Sequence, residues 1–150
     1  MRIAVGSDHA GYEVKCEVVK RLTEAGHEVR DFGAYSTESV DYPDIAVAAA
    51  RVVASGEADR GILVCGTGIG MSIAANKVRG VRAALCHDDF TARMAREHND
   101  ANILAVGSRT TASYAILRMV DAFLETEFAG GRHADRVRKI TEAEQGHWGC

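Results

Sequence analysis

A thiol stands directly before a glycine-rich loop in Cys65-Gly66-Thr67-Gly68-Ile69-Gly70, which leads into the helical run Ser72-Ile73-Ala74-Ala75-Asn76. Backbone N–H groups aimed outward at a helix start form a cradle for an oxyanion or a phosphate. The same helix start favours the thiolate of a neighbouring cysteine, so Cys65 is a candidate for chemistry as well as for a small buried hydrophobe. The loop is not a dinucleotide fingerprint, because the third required glycine would fall at Met71, and it lacks the lysine and hydroxyl pair of a P-loop. A second loaded loop, Gly6-Ser7-Asp8-His9-Ala10-Gly11, offers a carboxylate and an imidazole together. A phospho-accepting receiver domain also gathers acids at such an edge, but it needs an aspartate where this chain has Cys65.

His98-Asn99-Asp100 closes a helical pattern. A histidine there is often only a cap or a dipole partner, yet its ordinary pKa also suits proton transfer. Arg132 and Arg136 lie four apart on a last helix and so share a face, with His133 beside them and Arg109 as a third cation. Convergent guanidinium groups are the usual answer to a phosphate dianion, whereas Arg138 and Lys139 read as a solvated basic face. Metal binding finds no support: Cys86 and His87 are adjacent, and no His/Cys pair repeats at ligand spacing.

The elements that must hold these groups alternate. Short β-branched runs at Ile3-Ala4-Val5, His27 to Asp31, Gly61 to Val64, Val81 to Cys86 and Ile103 to Val106 are each followed by an amphipathic segment. That rhythm predicts an α/β fold, a three-layer αβα sandwich around a five-stranded parallel sheet of Rossmann-like type. The first helix carries Val14, Val18, Leu22 and Ala25 and stops at Gly26; the second opens at Pro43 and stops near Gly56. The fifth spans about 111–128, and a basic last helix runs from about Ala134 to Glu144. Ligands of such sheets bind at the carboxyl ends of the strands, so the loops after strands 1 and 3 should face one another across the switch point.

Bulk properties fit. The chain has 150 residues, 47% of them hydrophobic, 26% charged and one a proline, the profile of a single domain over 1–150. Eighteen Lys and Arg against 21 Asp and Glu leave a net charge of −3, which argues against a general nucleic-acid or anionic-membrane partner. The longest apolar stretch, Ile45 to Ala54, is interrupted by Arg51 and is about half of what a bilayer requires. Cys16, Cys65, Cys86 and Cys150 form no C-x-x-C pair, and Gly6 cuts short any signal-like start. These features point to free thiols in a reducing, cytoplasmic setting, with Cys16 and Cys86 inside apolar patterns and Cys150 exposed at the terminus.

Five spaced segments carry a family resemblance: Ser7-Asp8-His9-Ala10-Gly11, Asp41-Tyr42-Pro43, Cys65 to Lys77, Glu97-His98-Asn99-Asp100-Ala101-Asn102, and Gly130-Gly131-Arg132-His133. Together they resemble the type B ribose-5-phosphate isomerases, which group with allose- and galactose-6-phosphate isomerases, from the first strand to about Ile140. The resemblance implies aldose–ketose interconversion of a sugar phosphate through a cis-enediolate, with neither metal nor organic cofactor. It implies that Cys65 moves the proton between C1 and C2, that His98 assists ring opening, and that Gly66, Thr67, Gly68, Ile69 and Gly70 hold the enediolate oxygen, Thr67 with its hydroxyl. Asp8, His9, Tyr42 and Asn99 would contact hydroxyls or the ring oxygen, and Arg109, Arg132 and Arg136, helped by His9, the phosphate. One branch of the family lacks the cysteine and uses a glutamate at the position of Met71, so the chain resembles the cysteine branch. Galactose-6-phosphate isomerases pair two different subunits, one degenerate at the site; since both Cys65 and His98 are present here, a homodimer or tetramer with sites shared between chains is expected. A hexose 6-phosphate isomerase and a non-catalytic sugar-phosphate binding module are the competing readings.

Overall fold

The computed structural model describes residues 1–147, so the expectation about Cys150 lies outside the described residues. Its elements are β1 (Arg2–Ser7), α1 (Tyr12–Glu24), β2 (Glu28–Asp31), α2 (Tyr42–Ala54), β3 (Arg60–Cys65), α3 (Ile69–Ala75), β4 (Ala83–Leu85), α4 (Asp89–Asn99), β5 (Ile103–Gly107), α5 (Ser113–Glu125) and α6 (Arg132–Glu144). The five strands form one parallel sheet in the order β2-β1-β3-β5-β4.

Strand pleat sorts the core into two layers. Ile3, Val5, Ile62, Val64, Leu104 and Val106 face α1, α4 and α5, where Val18, Leu22, Ala92, Ile116, Met119 and Phe123 meet them. The alternate residues Ala4, Leu63, Cys65 and Ile103 face α2 and α3, against Ala46, Ala49, Ala50, Val53, Met71 and Ala75. Both faces are covered, which is why the central strands read as continuous apolar runs and why the αβα expectation holds. The alanine-rich face of α2 lets its backbone come close to the sheet, so the Cys65 side chain, 5% exposed, lies on this thinner layer. α6 packs on α4 and buries none of its own residues fully.

Several boundaries differ from the sequence expectation. β4 shrinks from Val81–Cys86 to three residues because it is an edge strand whose entry is held by side chains: the Arg82 N–H donates to Asn102 Oδ1 (2.8 Å) and the Ala83 N–H to Asn76 Oδ1 (2.9 Å). α5 is shorter at both ends than the expected 111–128, since Thr126 turns to extended backbone and its hydroxyl donates to the Ala122 carbonyl. α6 starts two residues early, at Arg132.

Cys16 is exposed rather than interior, one step of about 100° away from the α1 stripe of Lys15, Val18 and Leu22. The residue that takes the inward position is Lys15, which only the tertiary structure satisfies: its ammonium donates to Asp31 Oδ2 (2.6 Å) and the Ala34 carbonyl (2.7 Å) and lies over the rings of Tyr12 and Tyr35. Cys86 is buried as expected, and burial pushes its thiol up to about 11.

Candidate active site

The carboxyl ends of β1, β3 and β5 build one half of the site. The Asp8 N–H donates to the Val64 carbonyl (3.1 Å), which docks the first loop onto the end of β3. Asp8 is 8% exposed, and its Oδ1 accepts from the Gly11 N–H (2.9 Å), a local turn that holds the carboxylate at the switch point. His9 Nδ1 accepts from the Val40 N–H (3.3 Å), which brings the segment entering α2 over this edge. Tyr42 opens α2 beside Gly70: a Cβ at Gly70 would sit 2.6 Å from the Tyr42 ring, so only glycine lets that ring lie on the loop.

Cys65 ends β3 with Gly107 as its sheet partner. Its Sγ accepts from the Gly68 N–H (3.1 Å), and Gly68 has φ of 77°, the left-handed backbone that turns the loop back onto the sulfur. The Ile69 N–H donates to Thr67 Oγ1 (3.3 Å). Two N–H groups of the expected oxyanion cradle are therefore engaged within the loop, one on the sulfur and one on a hydroxyl. Arg109 folds back against Gly66, whose added Cβ would meet Arg109 Cδ at 3.3 Å.

Sequence reasoning missed Ser108. Its hydroxyl lies within hydrogen-bond distance of the Ala10 carbonyl (2.8 Å) and the Cys65 carbonyl (3.2 Å), while its N–H donates to the Cys65 carbonyl (2.8 Å), tying together the loops after β1, β3 and β5. Nothing in its local sequence signals a tie between segments 98 residues apart. Met71, the alternative position for a catalytic acid, lies on α3 and is fully buried.

The other expected residues gather at the opposite edge. His98 and Asn99 end α4, just before β5 enters the sheet. The His98 ring stacks on His133 with centroids 4.2 Å apart and planes 6° from parallel. The Ala129 N–H donates to the Glu97 carbonyl (3.0 Å), so the Gly130–Gly131 turn delivers the start of α6 beside His98. Partial burial against that ring, together with the positive charges of His98, Arg132 and Arg136, lowers the pKa of His133 below the ordinary histidine value. Arg132 and Arg136 are exposed and, among the described residues, neither has an ion-pair or hydrogen-bond partner, whereas Arg138 pairs with Asp135 and Glu142.

One chain thus holds Asp8, His9, Tyr42, Cys65 to Gly70 and Arg109 at the carboxyl edge, and His98, Asn99, Arg132 and Arg136 at the amino edge. The expected three-arginine cluster is not formed within a chain, because Arg109 comes after β5 while α6 starts beside the helix that precedes it. β5 is the neighbour of β3, so His98 and Cys65 are not separated across the sheet. The separation runs along the strands: from Ile103 to Gly107 the chain climbs four residues, roughly 13 Å. Among the described residues no three His, Cys, Asp or Glu side chains converge as metal ligands, and no helix is long and apolar enough to cross a membrane.

Residues 3–140 match the family model described as Ribose/Galactose Isomerase. The chain is 49% identical over 144 residues to ribose-5-phosphate isomerase B of Escherichia coli (strain K12), covering 96% of this chain and 97% of that protein. The structure of Clostridium thermocellum ribose-5-phosphate isomerase B is 55% identical and superposes with a TM-score of 0.96 over 99% of this chain and 100% of that one. The structure of Mycoplasma genitalium ribose-5-phosphate isomerase B with bound ribulose-5-phosphate is 40% identical, with a TM-score of 0.93 and 96% of each chain covered.

Proposed function

The chain belongs to the ribose/galactose isomerase family, and from that premise we propose that it interconverts ribose 5-phosphate and ribulose 5-phosphate at sites shared between two copies of the chain. The observation that carries this reading is the division of one chemistry between two sheet edges. The roughly 13 Å rise of β5 lies between the turn after His98 and the sheet partner of Cys65, yet each edge is organised and each bears a cation suited to phosphate. An isologous pair sets the carboxyl edge of one copy against the amino edge of the other, and does so twice.

In such a site His98 and Asn99 of one copy open the ring, and Asp8 and Tyr42 of the other hold the sugar hydroxyls. Cys65, as thiolate, takes the proton from C2 of the open-chain aldose; the C–H electron pair moves into the C1–C2 bond and the carbonyl oxygen at C1 takes up negative charge. Return of the proton to C1, with the hydroxyl proton at O2 transferred to O1, gives the ketose. Thr67 and the free N–H groups of the loop stabilise the enediolate oxygens, where a preorganised donor contributes most. Arg109 from one copy with Arg132 and Arg136 from the other, helped by His9, take the phosphate. A catalytic thiol requires a reducing compartment, and we place the enzyme in the cytoplasm.

The test is direct isomerisation of ribose 5-phosphate, allose 6-phosphate and galactose 6-phosphate by the purified chain. Preference for ribose 5-phosphate is expected. Preference for a hexose phosphate would move the substrate within the family, and inactivity on all three would favour a binding module.

The unpaired guanidinium groups of α6 give a second expected outcome. Replacing Arg132 or Arg136 with alanine should raise KM for ribose 5-phosphate by about 10- to 100-fold, the value of one charge-assisted hydrogen bond. KM for unphosphorylated ribose should stay unchanged. Equal rises on both sugars would mean that these arginines support only the fold.

A further inference from the structure

We propose that Arg82, outside every motif named above, is a positioning residue that sets the geometry of the His98–Asn99 turn. The inference rests on the reading of His98 as the ring-opening group. Arg82 Nε donates to the carbonyls of Asn99 and Asp100 (3.1 Å each), and Nη2 donates to the Asp100 carbonyl (2.9 Å) and to Asp100 Oδ2 (3.2 Å). The guanidinium therefore sits across the C-terminal end of α4, where the last carbonyls have no partner within the helix and the dipole is negative.

Asp100 is the residue on which the chain turns from α4 into β5. It is the one non-glycine residue with positive φ among the described residues, at φ 45° and ψ 42°. Its second carboxylate oxygen accepts from Nη1 of the buried Arg96 (2.8 Å), so two arginines hold one carboxylate and fix this turn. Arg82 is itself held from the entry to β5: the Asn102 Oδ1 accepts from its N–H, and the Asn102 N–H donates to its carbonyl (3.1 Å).

The His98 ring needs such support from its backbone. Its side chain is 39% exposed, Glu97 Oε1 lies 3.8 Å from its Nε2, and among the described residues only the His133 ring stacks on it. Nothing else among the described residues holds the ring in place, so its position depends on where α4 ends. A lysine at 82 would keep the charge but could not span two carbonyls and a carboxylate, because an ammonium lacks the planar fork.

The test uses Arg82→Met, with Arg82→Lys as the second variant should the first fail to fold, in the full chain after circular dichroism and melting confirm the native state. The His98 ring and Asn99 amide resonances should shift while those of the Cys65 loop stay in place. The value of kcat should fall by about 10- to 100-fold with KM unchanged, the scale set by a misplaced catalytic group. On a background carrying both His98→Ala and Asn99→Ala the same substitution should cost nothing further. Unmoved His98 resonances, or an equal loss on that doubly substituted background, overturn the proposal. Shifted resonances with unchanged kcat leave the positioning role standing and count instead against His98 as the ring-opening group.

Discussion

Replacing Cys65 with alanine is expected to lower kcat by about 10²–10⁴-fold while leaving the fold and substrate binding in place, because a positioned proton-transfer group is missed mainly in the transition state. The side chain is small and 5% exposed, with the Gly68 N–H as its described hydrogen-bond partner, so the substitution removes the sulfur with little loss of packing. Steady-state kinetics on ribose 5-phosphate, with calorimetric titration of the substrate into the inactive variant, separate the two effects. Retention of more than about a tenth of wild-type kcat would remove Cys65 from the proton-transfer role, since such groups contribute at least about a hundredfold. Met71, a fully buried thioether on α3, offers no replacement base.

Mixing inactive Cys65→Ala and His98→Ala proteins under conditions that exchange subunits is expected to restore activity. If the two residues that serve one substrate come from different copies, a mixed dimer has one site with both lesions and one with neither. Equal mixing makes half of the dimers mixed, so recovery should approach about a quarter of wild type. The geometry behind this is the roughly 13 Å that β5 climbs between the turn after His98 and the sheet partner of Cys65. Persistent inactivity after demonstrated exchange would put both residues in one chain's site and leave the isomerase reading to be judged on turnover alone.

The same geometry places the two halves under different local constraints. At the carboxyl edge three loops are tied by Ser108, and Tyr42 rests on Gly70, so the thiol sits in a rigid frame. At the amino edge α6 lies on the surface with no fully buried residue, held through α4 and by Glu144, whose carboxylate accepts from the Gly80 N–H (3.0 Å). Arg132 and Arg136, the phosphate ligands proposed above, are exposed on this helix in the single chain.

Most of the sheet was legible from local pattern. Ile3-Ala4-Val5, Gly61 to Val64 and Ile103 to Val106 are apolar on both faces, a property that only a strand covered by helices on both sides needs, and their spacing forces parallel crossovers. The placement of Asp8-His9 and Cys65 to Gly70 at one edge was legible for a related reason: glycines and polar residues directly after buried strands mark the ligand edge of such sheets. The features that sequence could not supply were set by long-range partners. Lys15 in a buried helical stripe makes sense only once Asp31 and the Ala34 carbonyl lie beside it. The exposure of Cys16 depends on a rotation of one residue around α1, and the length of β4 on side chains from Asn76 and Asn102. The motifs at Cys65 and His98 were each visible in the chain, but their placement at opposite edges required the strand order and direction, because in a parallel sheet the loops entering the strands and the loops leaving them lie a full strand length apart.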